Sequence, residues 1–115
     1  MKRYKWYKIA ESKAELQVEE KYARGIQAGG KDICLTKYND QLYACASKCP
    51  HAGGVMEDGW VDAMGNIVCP LHRYKFSLEK GRNTSGEGYF LKTFPIEERA
   101  DGVYVGIEVK NIFGF

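Results

Sequence analysis

The chain has 115 residues, which is one domain's worth and long enough for a modest core. Lysine plus arginine (17) barely exceeds aspartate plus glutamate (15), so the chain carries no basic field of the kind that grips nucleic acid. The start, Met1-Lys2-Arg3-Tyr4-Lys5-Trp6-Tyr7-Lys8, is basic with no apolar stretch behind it, and no apolar run approaches membrane-spanning length; the expectation is a soluble cytoplasmic protein with neither a nucleic-acid nor a membrane partner.

In chain order, Trp6 to Ile9 reads as a first strand, and the charged stretch Glu11 to Glu20 as a connection or a short polar helix. Ile33 to Tyr38 and Gln41 to Ala46 flank Asn39-Asp40, a pair suited to the positive φ of a two-residue hairpin turn. Tyr38 then faces Gln41, and the same register sets Cys34 opposite Cys45. In a cytosolic protein those two cysteines are expected to be reduced, packed thiols. Gly59-Trp60-Val61 and Asn66-Ile67-Val68 read as short strands, and Tyr74 to Leu78 as another. A glycine-rich stretch runs from Gly81 to Gly88. Leu91 to Glu97 and Gly102 to Val109 then form closing strands, with Asp101-Gly102 at their turn. Many short strands separated by frequent turns predict an all-β antiparallel sandwich or small barrel.

Both histidines of the chain lie in two short loops, Cys49-Pro50-His51 and Cys69-Pro70-Leu71-His72, giving the pattern C-x-H…C-x-x-H. Thiolates and neutral imidazoles are ligands for iron or zinc, and a proline tightens each loop. A Cys₂His₂ finger groups its cysteines in one knuckle and its histidines on a helix, whereas each knuckle here is mixed. A binuclear iron cluster can take both cysteines on one iron and both histidines on the other. The same four ligands could also close a tetrahedron around a single zinc ion.

Cys49, His51, Cys69 and His72 resemble the ligand pattern of the Rieske [2Fe–2S] family, and the resemblance extends over nearly the whole chain. The hairpin ending in Leu42-Tyr43-Ala44, the two ligand loops, Phe76 and Gly81 after them, Phe94-Pro95-Ile96, and Gly102-Val103-Tyr104-Val105 all follow the family pattern. The resemblance implies one domain over residues 1–115, with a cluster-binding subdomain of about residues 47–80 set into the β scaffold. It implies one [2Fe–2S] cluster per chain, with Cys49 and Cys69 on the inner iron and His51 and His72 on the outer one. The family usually carries a cluster-shielding proline in the stretch corresponding to Gly81 to Phe94, and this chain has none before Pro95.

High-potential Rieske proteins have an extra cysteine in each loop and two hydroxyl donors after the second loop. The counterparts here are Gly54 and Leu71, and Tyr74 and Phe76. Phe76 has no hydroxyl to stabilise a reduced cluster, so the expected potential lies at the low end of the Rieske range, on the order of −150 mV. Neutral imidazoles leave the oxidised site without net charge, and their outer ring nitrogens tie the potential to pH.

The resemblance implies a one-electron carrier between a flavin-dependent reductase and a terminal oxygenase or similar acceptor. Ala52, Gly53, Gly54, Val55 and Leu71 would form a small apolar docking rim, with Arg73 and Lys75 adding positive charge. A second reading is the small Rieske subunit of a larger oxidoreductase such as an NAD(P)H nitrite reductase, with Ile112, Phe113 and Phe115 of the tail packing on a partner. A third is a zinc-stabilised binding module. Nothing in the chain forms a nucleophile–base set, a phosphate cradle or a dinucleotide fingerprint, so no enzyme activity of its own is expected.

Overall fold

The computed structural model describes residues 3–50, 53–71, 73–84 and 88–109, and the regular structure in them is strand apart from two short 3₁₀ turns. The strands are β1 (Tyr4–Ala10), β2 (Ala23–Ala28), β3 (Lys31–Tyr38), β4 (Gln41–Ala46), β5 (Trp60–Val61), β6 (Asn66–Val68), β7 (Lys75–Ser77), β8 (Thr93–Phe94), β9 (Ile96–Arg99) and β10 (Gly102–Glu108). They pair antiparallel into three sheets, ordered β1-β10-β9, β2-β3-β4-β8 and β5-β6-β7. The 3₁₀ turns are Ala14–Leu16, all that forms of a helix between Glu11 and Glu20, and Met56–Asp58.

The β3–β4 hairpin follows the expected register. Asn39 and Asp40 take φ of 52° and 64°, Tyr38 pairs with Gln41, and Cys34 pairs with Cys45. Glu20 supports the turn by accepting from the Asn39 and Asp40 backbone N–H groups. A second hairpin, β2–β3, is an addition to the expected elements. Its loop is Gly29-Gly30, with φ of 58° and 76°, a conformation glycine reaches without steric cost.

The expected strand Leu91 to Glu97 divides at Pro95. β8 pairs with β4, while β9 pairs with β10 in a different sheet. Proline has no N–H for a ladder, so the chain changes sheets where pairing lapses. Pro95 still contributes its carbonyl, which accepts from Gly106 N–H at 2.9 Å. The closing hairpin turns at Ala100-Asp101, one residue earlier than expected, because Gly102 already pairs with Arg99.

The four-stranded sheet is the middle layer. Alternation along a strand sends Ile33 and Leu35 of β3 into a core shared with Val103, Val105 and Ile107 of β10. It sends Cys34 of β3 and Cys45 of β4 into a second core with Met56, Val61, Ile67, Phe76, Leu78 and Leu91. Complete burial of Ile33, Leu35, Ile67 and Phe76 contributes about 1.5–3 kcal/mol each. The three-stranded sheet β5-β6-β7 closes this second core, and both predicted ligand loops lead out of it.

Candidate metal centre

The first loop follows β4. Met56 N–H donates to Ser47 O at 2.7 Å, Lys48 and Val55 form an isolated bridge, and Cys49 N–H donates to Gly54 O at 2.7 Å. Gly53 N–H returns to Cys49 O at 3.0 Å, with Gly53 at φ 72°. The second loop joins β6 to β7, and Cys69 N–H donates to Tyr74 O at 2.8 Å. In each loop the leading cysteine donates to the carbonyl five residues on, so two stretches with different sequences fold to the same span.

The loops face one another. A Cβ placed on Gly54 would lie 2.8 Å from Cys69 Sγ and 3.1 Å from Leu71 Cβ, so glycine is what lets the first loop approach the second so closely. Cys49 and Cys69 are 3% and 2% exposed, and both belong to the second core. Both are buried in the same core where the two loops meet. Burial pushes the Cys69 thiol up, the Leu71 N–H opposes this, and the Cys49 thiol beside it pushes the same way as burial. Two thiolates side by side in an apolar pocket need a cation between them, and a ferric ion supplies that charge. The donor set fits an iron cluster at this point of the fold.

His51 and His72 lie outside the described residues, as does Ala52. Of the predicted ligand set, the fold brings Cys49 and Cys69 together in one core. Of the predicted apolar rim, Gly53, Val55 and Leu71 are exposed, while Gly54 is half-buried between the loops. Of the predicted positive rim, Arg73 and Lys75 are both exposed, and the Lys75 ammonium lies 3.7 Å from an Asp62 carboxylate oxygen. Phe76 is fully buried in the second core. The Tyr74 ring packs on that core and pairs with Tyr89 at 6.5 Å, so an aromatic residue of the proline-free segment lies beside the second loop.

Sequence reasoning passed over Ser47 and Glu57. Ser47 Oγ–H donates to Glu57 Oε1 at 2.6 Å, tying the residues just before and after the first loop, while Glu57 Oε2 sits over Gly25 of β2. A small hydroxyl residue and a carboxylate at the two ends of a ligand loop were the available signal. Cys34 and Cys45, expected as packed thiols, are buried and unlinked, and a thiol hydrogen bond between them, followed by burial, raises the Cys45 pKa.

A β-sandwich whose middle sheet carries a lobe with two matched cysteine loops, meeting over a buried thiol pair, defines a protein built to hold a metal centre at one end. The Rieske [2Fe-2S] domain matches residues 5–95, and the chain belongs to that family. The cofactor of the family is one [2Fe–2S] cluster.

The ferredoxin component of the alkene monooxygenase system of Xanthobacter autotrophicus is 26% identical over 83 residues, covering 72% of this chain and 68% of that one. The nitrite reductase [NAD(P)H] of Emericella nidulans is 33% identical over 85 residues, covering 67% of this chain and 8% of the much longer relative. A chain in the complex of reduced oxygenase and oxidised ferredoxin of carbazole 1,9a-dioxygenase shares the fold, with a TM-score of 0.72 at 24% identity, covering 86% of this chain and 99% of that one.

Proposed function

We propose that the chain is a one-electron carrier in which Cys49 and Cys69 hold one iron of the cluster and His51 and His72 the other, serving an oxygenase system. The observation that carries this reading is the burial of Cys49 and Cys69 in one core beneath two facing loops, whose exposed residues include the apolar Val55 and Leu71. When bound, the cluster supplies a single electron at a time. The chain's own residues do the rest. The two cysteine N–H bonds set the loop spans, Gly54 permits their close approach, and Phe76 with Ile67 keeps water from the thiol side.

The electron donor in this reading is a flavin-dependent reductase and the acceptor a terminal oxygenase. Support comes from the ferredoxin component of the Xanthobacter system and from the oxygenase–ferredoxin complex of carbazole dioxygenase. The chain acts as a carrier and has no reaction of its own. Cys34 and Cys45, paired across β3 and β4, are unlinked thiols, which supports a reducing, cytoplasmic setting. No described helix is long and apolar enough to cross a membrane. The likeness to a short part of a nitrite reductase supports a second reading, as the Rieske subunit of a larger oxidoreductase. Stoichiometric co-purification of a large partner would select it.

An EPR-monitored redox titration of the purified protein tests the carrier. The expected result is a rhombic signal on one-electron reduction, at a potential on the order of −150 mV that falls as pH rises into the alkaline range. A colourless, EPR-silent protein containing zinc would replace the carrier with a binding module.

A further inference from the structure

A groove of about 730 Å³ opens beside the first ligand loop. It runs between the start of β3, the segment that follows β4, and β8. Val55 and Phe94 give it an apolar lining, and Lys31, Lys48 and Lys92 stand around it, each exposed. Lys48 immediately precedes Cys49, and its bridge to Val55 closes the base of the loop. The groove is thus continuous with the loop that holds the first iron ligand.

The charges of the groove are unequally satisfied. Lys8, Lys13, Lys37 and Lys75 each lie within 4.0 Å of a carboxylate, whereas Lys31, Lys48 and Lys92 make no ion pair among the described residues. Two carboxylates also border the groove, and both are held by neutral donors. Gln27 Nε2–H donates to Asp32 at 2.7 Å and Ser47 Oγ–H to Glu57 at 2.6 Å. Three ammonium groups against two carboxylates leave the groove net positive. The acids are turned toward their own donors, while the lysines remain available.

We propose that this groove is a docking surface for an acidic face of a protein redox partner, whose carboxylates meet Lys31, Lys48 and Lys92 while an apolar residue rests on Val55 and Phe94. The inference rests on the reading of the chain as an electron carrier. It adds the sign of the partner's surface and the side of the loop from which that partner comes. Unpaired surface charges accelerate encounter more than they tighten a complex, and salt screens them. Lysine suits such contacts because its flexible ammonium meets a carboxylate without demanding one geometry.

The test uses the cluster-loaded protein, with poly-L-glutamate as the acidic probe and ferricyanide as an anionic one-electron oxidant. Each ferricyanide removes one electron from one reduced protein and leaves as ferrocyanide. The groove variant is Lys31→Glu, Lys48→Glu and Lys92→Glu together. Its control is Lys5→Glu, Lys21→Glu and Lys80→Glu, which changes the same formal charge at the other described lysines outside ion pairs. In the wild type, poly-L-glutamate binding at low salt, read by calorimetry, should be lost between about 0.01 M and about 0.5 M salt, and ferricyanide oxidation should slow by about tenfold. The groove variant should lose both effects and the control should keep both.

Equal behaviour of the two triple variants would overturn the proposal, since net charge rather than the groove would then set the field. Absence of any salt dependence in the wild type would overturn it as well. The Lys→Gln triple at the same groove positions is a second variant, should the glutamates impair folding. The EPR titration of the wild type separates the two failures. A normal signal with equal triples removes the groove and leaves the carrier, whereas no signal removes the carrier while calorimetry still reports on the groove.

Discussion

In the proposed centre Cys49 and Cys69 hold one iron, and the chemistry of the thiolate explains why neither is replaceable by its oxygen analogue. A serine at either position fills a similar space but keeps its proton and is a poor iron ligand. Cys69→Ser and Cys49→Ser should therefore abolish iron and labile sulfide, measured on the purified protein, while the core around Ile33, Leu35 and Val105 stays folded by circular dichroism. Away from the centre, Asp62 is the residue that fixes the β5–β6 turn, receiving the Met64 N–H at 2.9 Å and the Asn66 N–H at 3.0 Å. Burial works to raise its pKa. The Asn66 backbone and side chain, the Met64 N–H and the Lys75 ammonium outweigh that, so the carboxyl is held below its usual range. Since the folded pKa lies below the unfolded one, the stabilisation is complete above about pH 4 and is lost as pH falls through the folded value. Asp62→Asn keeps the acceptor oxygen and removes the titration. The melting-temperature gap between wild type and this variant should be full at neutral pH and close as pH falls through the folded value, and a pH-independent gap would remove the carboxylate from the account.

At the scale of elements, the hairpins differ in how they are specified. The β2–β3 loop needs two residues with positive φ, and they differ in surroundings: Gly30 has nothing near a built Cβ, while Gly29 would place one 2.8 Å from the Tyr7 ring. Gly30→Ala should thus cost about 1–2 kcal/mol from backbone strain alone, and Gly29→Ala more, both read from denaturant midpoints. The β3–β4 register is legible in the sequence because Asn39-Asp40 sits between two apolar runs, and that one turn places Cys34 against Cys45. β2 is not legible in the same way. Arg24, Gly25 and Gln27 break any alternation, and the strand is held as an edge by its ladder to β3 and by Arg24 donating to the Leu16 carbonyl. The Gly29-Gly30 pair was its one available sign. The division at Pro95 is also hidden locally, because which sheet a strand joins depends on partners distant in sequence. At the site, the cysteine loops were readable from Cys-Pro spacing, whereas the Ser47–Glu57 bond and the lysine groove arise from residues that only the fold assembles.

Across the whole molecule, two cores share one sheet but differ in what sustains them. The core between the outer sheet and the middle sheet is built from long strands such as β1 and β10, each of seven residues. The second is closed by strands of two and three residues, too short to be stable without what they enclose. In the proposed centre, iron held by Cys49 and Cys69 would be part of the folding free energy of that lobe. Chelation should release it first. Hydrogen exchange of the apo-protein is expected to show β5, β6 and β7 exchanging rapidly while β10 and the Ile33–Leu35 segment stay protected. Uniform loss of protection would mean that the two cores unfold as one.

β3 is the strand through which the two cores meet, with Ile33 and Leu35 on one side and Cys34 and, by alternation, Thr36 on the other. This gives the lobe a floor that its own segment does not encode. A transplant of residues 47–80 into a foreign sandwich would leave that floor behind and turn Met56, Ile67 and Phe76 out to water. The transferable unit is the β3–β4 hairpin together with the lobe above it, and the half of the hairpin that looks like plain scaffold travels as part of the electron-transfer module.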